Sequence, residues 1–144
     1  MICLDLFCGS GILSAEAISR GVKKSILIEN NLNICNQLQN QFKKLDIQNY
    51  ELLKMDVIKY LKCSDSKDYD LIFIDAPFQG NLLQSTIQVL DDLGYFKKNS
   101  YLYFEQNRKD YNQKLVSIIS KTHNIIKDLG IGDVSYTIAQ KRDI

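Results

Sequence analysis

Apolar and polar positions alternate in blocks along the chain, and the block period switches between two and about three and a half residues. Ile2–Leu6 reads as a strand and Ile12–Arg20 as a helix. Ser25–Glu29 is the next strand. Asn31–Leu45 follows with Leu32, Cys35, Leu38, Phe42 and Leu45 at spacings of three and four, one apolar stripe of a helix. Tyr50–Lys54 reads as a short strand and Val57–Leu61 as a short helix. Leu71–Ile74 is wholly apolar and rich in strand formers, as expected of a strand covered on both faces. Leu82–Leu93 is helical, Tyr101–Glu105 extended, and Tyr111–Ser120 helical. The end differs: Asn124–Lys127, a turn at Gly130 and Gly132, and Val134–Ala139 place two strands in succession with no helix between them, an antiparallel hairpin.

Five strand–helix units and a closing hairpin predict an α/β fold with a mostly parallel seven-stranded sheet, helices on both faces and antiparallel C-terminal strands. No repeat, linker or low-complexity tract divides the 144 residues, so 1–144 is expected to form a single domain. In such sheets ligands bind beyond the carboxyl ends of the strands, where the strand order reverses. The positions to examine are therefore Asp5 to Gly11, Glu29-Asn30, Asp56, Asp75 to Phe78, and Glu105-Gln106.

Composition narrows the picture in three ways. No apolar run approaches the ~20 residues that span a bilayer, and the first apolar stretch already contains Asp5, so a cytoplasmic protein without a membrane partner is expected. Cys3, Cys8, Cys35 and Cys63 form no C-x-x-C pair and stand with a single His123, which argues for reduced thiols and against a metal site. Charge is uneven. Residues 1–96 carry nine Lys/Arg against twelve Asp/Glu, and residues 97–144 carry nine against five. The acidic part holds the candidate small-molecule site, while Lys97-Lys98 and Arg108-Lys109 are candidates to meet phosphates, with a solvated surface as the ordinary alternative. Tyr101, Tyr103 and Phe104 lie on a strand and read as core, and His123 as structural or exposed.

Two segments carry chemistry. Asp5-Leu6-Phe7-Cys8-Gly9-Ser10-Gly11 puts two glycines between a strand and a helix, where the backbone turns tightly and a ligand approaches without Cβ contact. Glu29 closes the second strand, the position at which an acid commonly holds ribose hydroxyls. A nicotinamide dinucleotide is disfavoured twice. Ser14 stands where the third glycine of G-x-G-x-x-G belongs, and Asp5, Asp56 and Asp75 around one pocket would repel a pyrophosphate. They suit S-adenosylmethionine, which brings a sulfonium and an ammonium. Asp56 alone is equally an N-cap. The second segment is Asp75-Ala76-Pro77-Phe78. An exocyclic base amine is a poor nucleophile because its lone pair is delocalised into the ring. A carboxylate and a backbone carbonyl accepting its two N–H bonds localise that pair, and an aromatic ring stacks on the base.

These segments, with Ala15-Glu16-Ala17-Ile18-Ser19-Arg20-Gly21 and Gly132-Asp133-Val134, resemble the RsmD family of bacterial 16S ribosomal RNA guanine-N2 methyltransferases. Asp75–Phe78 is similar to that family's D-P-P-F/Y motif. The resemblance implies a Rossmann-like class I methyltransferase fold, S-adenosyl-L-methionine as cofactor, and 16S RNA or the assembling small subunit as partner of a monomer. It implies that Asp5, Phe7, Gly9 and Gly11 surround the methionine part of the cofactor. Glu29 with Asn30 would bind ribose, Asp56 with Val57 the adenine, and Asp75, Ala76, Pro77 and Phe78 the target base. Ala76 departs from the family's first proline. The family usually carries a basic arm before the first strand, and with Met1 almost on that strand the chain is expected to lack it. Methylation of adenine N6 or of a protein glutamine, and a cofactor-binding domain without turnover, are the alternatives.

Overall fold

The computed structural model describes residues 1–78 and 80–143. The strands are β1 Ile2–Leu6, β2 Lys24–Glu29, β3 Tyr50–Lys54, β4 Leu71–Ile74, β5 Tyr101–Asn107, β6 His123–Ile131 and β7 Val134–Lys141. The helices are α1 Ile12–Ser19, α2 Leu32–Lys44, α3 Val57–Cys63, α4 Leu82–Asp92 and α5 Gln113–Ile119. One seven-stranded sheet runs in the order β3-β2-β1-β4-β5-β7-β6. The first five strands are parallel, and β7 is antiparallel to both β5 and β6. Strand order reverses between β1 and β4, which opens a crevice above their carboxyl ends.

The period-two pattern of each strand sorts its side chains between two layers. Leu4, Leu6, Ile26, Ile28, Ile72 and Ile74 pack into the larger core under α3, α4 and α5. Cys3 and Phe73 meet Ala17 of α1, and Leu27 meets Leu38 and Phe42 of α2 on the opposite face. The larger core also buries polar aromatic groups that find partners. Tyr60 and Tyr69 share a 2.7 Å hydroxyl contact, and Tyr95 Oη donates to the Leu61 carbonyl at 2.7 Å. Such burial is the dominant stabilising term, at roughly 25 cal/mol per Å² of apolar surface.

Several boundaries differ from the expectation, each for a physical reason. Asn31 and Leu45 flank α2 as its caps, and Asn31 Oδ1 accepts the Ile34 N–H at 3.1 Å. Before α5 the chain makes a 3-10 turn at Arg108–Asp110, and Asn112 then caps the helix through Leu115 N–H at 3.1 Å. The hairpin turn is tighter than the two glycines suggest. Gly130 lies within β6, and only Gly132, at φ +58°, makes the turn. β5 runs on to Asn107 because β7 pairs with it there.

Candidate active site

The loop after β1 is held in a left-handed course: Phe7, Gly9 and Gly11 have φ of 58°, 53° and 77°. For Phe7 that conformation is uncommon and strained, as at many ligand-binding loops. The two glycines serve different ends. A Cβ on Gly11 would lie 2.8 Å from both Leu38 and Phe42, so its bareness lets α2 pack against the loop. A Cβ on Gly9 would meet nothing within 4 Å, so Gly9 is the one that leaves room above the loop.

Glu29, at the end of β2, ties this loop to the next helix. Gly9 N–H donates to its Oε1 at 3.2 Å and Asn31 N–H to its Oε2 at 2.9 Å. Each oxygen keeps a second lone pair. Asn30 is exposed beside it. Asp56 caps α3, its Oδ2 accepting Lys59 N–H at 3.0 Å. The side chain of Val57 is buried in the core, so its main chain is what it offers to the crevice.

Asp5 lies beneath the loop rather than on its open surface, with 1% of the residue exposed. Ser14 Oγ donates to its Oδ2 at 2.6 Å and is itself 2.7 Å from Ser25 Oγ. Asp5 Oδ1 is buried with no partner. Burial pushes its carboxyl up to about 7, against the Ser14 bond, and the charge of Asp75 pushes in the same direction as burial. An acid in this state gains from a nearby cation. The orphaned oxygen, the open space at Gly9 and the row of strand-end acids fit a cofactor with a cationic methionine end.

Asp75 emerges after β4 and is exposed at the crevice. Partial withdrawal from water, then the adjacent Glu105 carboxylate, push it up to about 7. Ala76 turns into the larger core, while Pro77 and Phe78 stay exposed, Phe78 at 42%. With Asn81, Glu105 and Gln106 these three line a cleft of about 230 Å³. Gln106 is buried there. Its Oε1 accepts Asn112 N–H at 2.9 Å, which fixes the amide orientation and leaves Nε2 without a partner. The sequence marks Glu105 and Gln106 only as strand-end positions. Their roles depend on pairing with β4 and β7, which no local pattern announces.

The other candidates divide between the two ends of the sheet and its core. Lys97 pairs with Asp68, and with Asp70 at 2.9 Å, at the opposite end of β5, and Lys98 pairs with Asp143 at 2.8 Å. Arg108 and Lys109 follow β5 at the crevice end, and Arg108 donates to the Gly132 carbonyl at 2.9 Å. His123 is buried edge-on against Phe96 and held by burial down to about 4. All four cysteines are free; burial raises the Cys8 thiol, which makes it a poor nucleophile.

A family described as Conserved hypothetical protein 95 matches residues 1–140. The chain is 41% identical over 107 residues to the ribosomal RNA small subunit methyltransferase D of Buchnera aphidicola from Acyrthosiphon pisum. That alignment covers 74% of this chain and 56% of the relative, so the chain spans about half of that protein's length. The protein of the same name from Haemophilus influenzae is 30% identical over 141 residues, 96% of this chain and 70% of its own. A crystal structure of a provisionally named methylase from Haemophilus influenzae superposes with a TM-score of 0.83 at 28% identity, covering 98% of this chain and 86% of that one. The fold is that of the class I methyltransferases.

Proposed function

The chain belongs to the RsmD family, and from that premise we propose that it transfers a methyl group from S-adenosyl-L-methionine to the exocyclic N2 amine of a guanine in 16S ribosomal RNA. The observation that carries the reading is the position of Asp75. Its carboxyl stands at the switch-point crevice, one strand from the Gly9 loop, beside the exposed ring of Phe78 and the cleft behind it. Two relatives bear the name of a small-subunit ribosomal RNA methyltransferase, which supports RNA as the acceptor. The proposed setting is cytoplasmic, with a monomer acting on 16S RNA or the assembling small subunit.

The methyl donor supplies an electrophilic carbon on a positively charged sulfur. The chain's residues do the rest. The Gly9 loop binds the methionine end, Glu29 and Asn30 the ribose, and Asp56 with the Val57 main chain the adenine. The buried Asp5 carboxyl beneath the loop, when ionised, attracts the cationic groups by its charge. Asp75 and the Ala76 carbonyl accept the two amine N–H bonds and turn the lone pair toward the methyl carbon. Pro77 fixes the backbone that presents them, and Phe78 stacks on the extruded base. Holding amine and methyl in line supplies most of the acceleration expected of such a site.

Labelled S-adenosylmethionine offered with naked 16S RNA, assembling small subunits, DNA and ribosomal protein tests this directly. N2-methylguanosine in the RNA is the expected product. Label in adenine N6 or in a glutamine side chain overturns the acceptor. Cofactor binding without transfer to any of the four leaves the non-catalytic alternative.

A further inference from the structure

We propose that Asp75 and Glu105 work as one proton-sharing carboxyl pair, in which Glu105, positioned by Tyr103, receives the proton that the target amine sheds as it is methylated. This rests on the function proposed above and assigns that reaction a further residue. The register of the sheet makes the pair. Ile74 of β4 lies beside Phe104 of β5 in parallel, so the next residues, Asp75 and Glu105, emerge side by side on the face that carries Phe73 and Tyr103. Neighbouring strands are about 4.8 Å apart, which brings two carboxyl groups within reach of one proton.

Glu105 is held in place. Tyr103 Oη donates to Glu105 Oε1 at 2.6 Å. The Tyr103 ring is itself fixed, edge-on to Phe73 at 5.7 Å and stacked on Tyr136 at 6.3 Å. That leaves Glu105 Oε2 for the shared proton. One strand further, Asp5 on β1 contributes a third acid with its unpartnered, buried Oδ1. The groups facing the pair are thus Asp5 from β1, Tyr103 from β5 and Tyr136 from β7, with Glu29 beyond Gly9. Among the described residues, the ion pairs of Lys and Arg join Glu16, Glu51, Asp68, Asp70 and Asp143, none of them in this group.

Two adjacent carboxylates without a cation ionise in separate steps. Asp75 is raised to about 7, first by its partial withdrawal from water and then by Glu105. A bound sulfonium and ammonium favour the doubly ionised pair, so the donor's arrival expels the shared proton. In the reaction the N–C bond forms as the S–C bond breaks, and the electron pair of that bond stays on sulfur. The positive charge passes to the amine nitrogen and leaves it as a proton on Glu105. The charge within the site is the same before and after; when the neutral thioether product departs the pair keeps this proton, and the next donor's arrival expels it to water.

The test titrates S-adenosylmethionine and S-adenosylhomocysteine into wild type, Glu105→Gln and Tyr103→Phe near pH 7, in two buffers of different ionisation enthalpy, which counts protons. Wild type is expected to release a large fraction of a proton with the sulfonium and clearly less with the thioether. Glu105→Gln should shrink that difference to the part that Asp5 contributes. In single-turnover transfer, Glu105→Gln should lose on the order of 100-fold in rate with KM little changed, and the acid limb of its pH profile should move below that of wild type. Tyr103→Phe should keep the proton difference, lose rate by roughly tenfold and shift the limb. Equal proton counts for the two ligands overturn the pair whether or not transfer occurs. Full rate and an unmoved profile in Glu105→Gln overturn the proton-acceptor role. A proton difference in wild type that transfers no methyl to ribosomal RNA removes the proposed function and leaves the pair standing.

Discussion

Asp5, Gly9, Gly11 and Asp75 look alike as members of two motifs, and the structure gives each a different task. Gly11 is a packing residue, and Gly9 leaves open the space proposed for the cofactor. Gly11→Ala should drive a methyl into Leu38 and Phe42 and cost on the order of 1–3 kcal/mol of stability, read as a lower urea midpoint. Gly9→Ala, with open space around its Cβ, should cost about 1–2 kcal/mol for its left-handed backbone and mainly weaken cofactor binding by calorimetry. Asp5 sets a pH dependence. Its carboxyl is raised from 3.8 to about 7 in the folded protein, so the native state holds a proton that the unfolded chain has lost. Stability of the ligand-free protein therefore falls as pH rises from about 4 to about 7 and levels off above. Asp5→Asn, which keeps an acceptor for Ser14, should flatten that slope in thermal unfolding. An unchanged slope assigns the effect to other groups.

Elements were the most legible scale, and their ends the least. Apolar stripes such as Leu38 and Phe42 on α2, and the apolar run Leu71–Ile74, announce helix and central strand because burial there is set by local period. The two-residue extension of β5, and with it the placement of Glu105 and Gln106 in the cleft, depends on β7 about thirty residues later and carries no local mark. The same holds for Lys97-Lys98. As sequence they are a basic pair free to meet RNA, but folding brings Asp68, Asp70 and Asp143 to them. Asn112 is another case. It caps α5 through Leu115 N–H while its own N–H fixes Gln106. Asn112→Ala should cost about 1 kcal/mol of stability as a lost cap, measured by denaturant unfolding. Because the backbone N–H remains, the grip on Gln106 should survive, and methyl transfer should fall far less than stability.

For the whole molecule, the order β3-β2-β1-β4-β5-β7-β6 brings residues from five strand ends to one crevice. Glu29 and the Gly9 loop stand on one side of the switch point, and Asp75, Phe78 and Glu105 on the other. In the proposed reaction that division separates donor from acceptor. Glu29→Ala should weaken S-adenosylmethionine binding, each charge-assisted hydrogen bond being worth about 1.5–3 kcal/mol. Loss of its bonds to Gly9 and Asn31 should also loosen the loop, so stability is expected to fall along with affinity. Phe78→Ala, across the crevice, should spare cofactor affinity and weaken RNA, since stacking is worth about 1–3 kcal/mol per base.

The central claim is that Asp75 acts on the amine in the transition state. Single-turnover methyl transfer to 16S RNA at saturating cofactor, comparing wild type with Asp75→Asn, is its most direct test. Asparagine keeps the size and one acceptor but removes the charge, and interactions that strengthen in the transition state lower the rate rather than the affinity. A loss of at least ~100-fold in rate, about 2.7 kcal/mol of barrier, with cofactor affinity little changed, is the predicted result. Full rate with lost cofactor affinity would make Asp75 a cofactor ligand only and contradict the account.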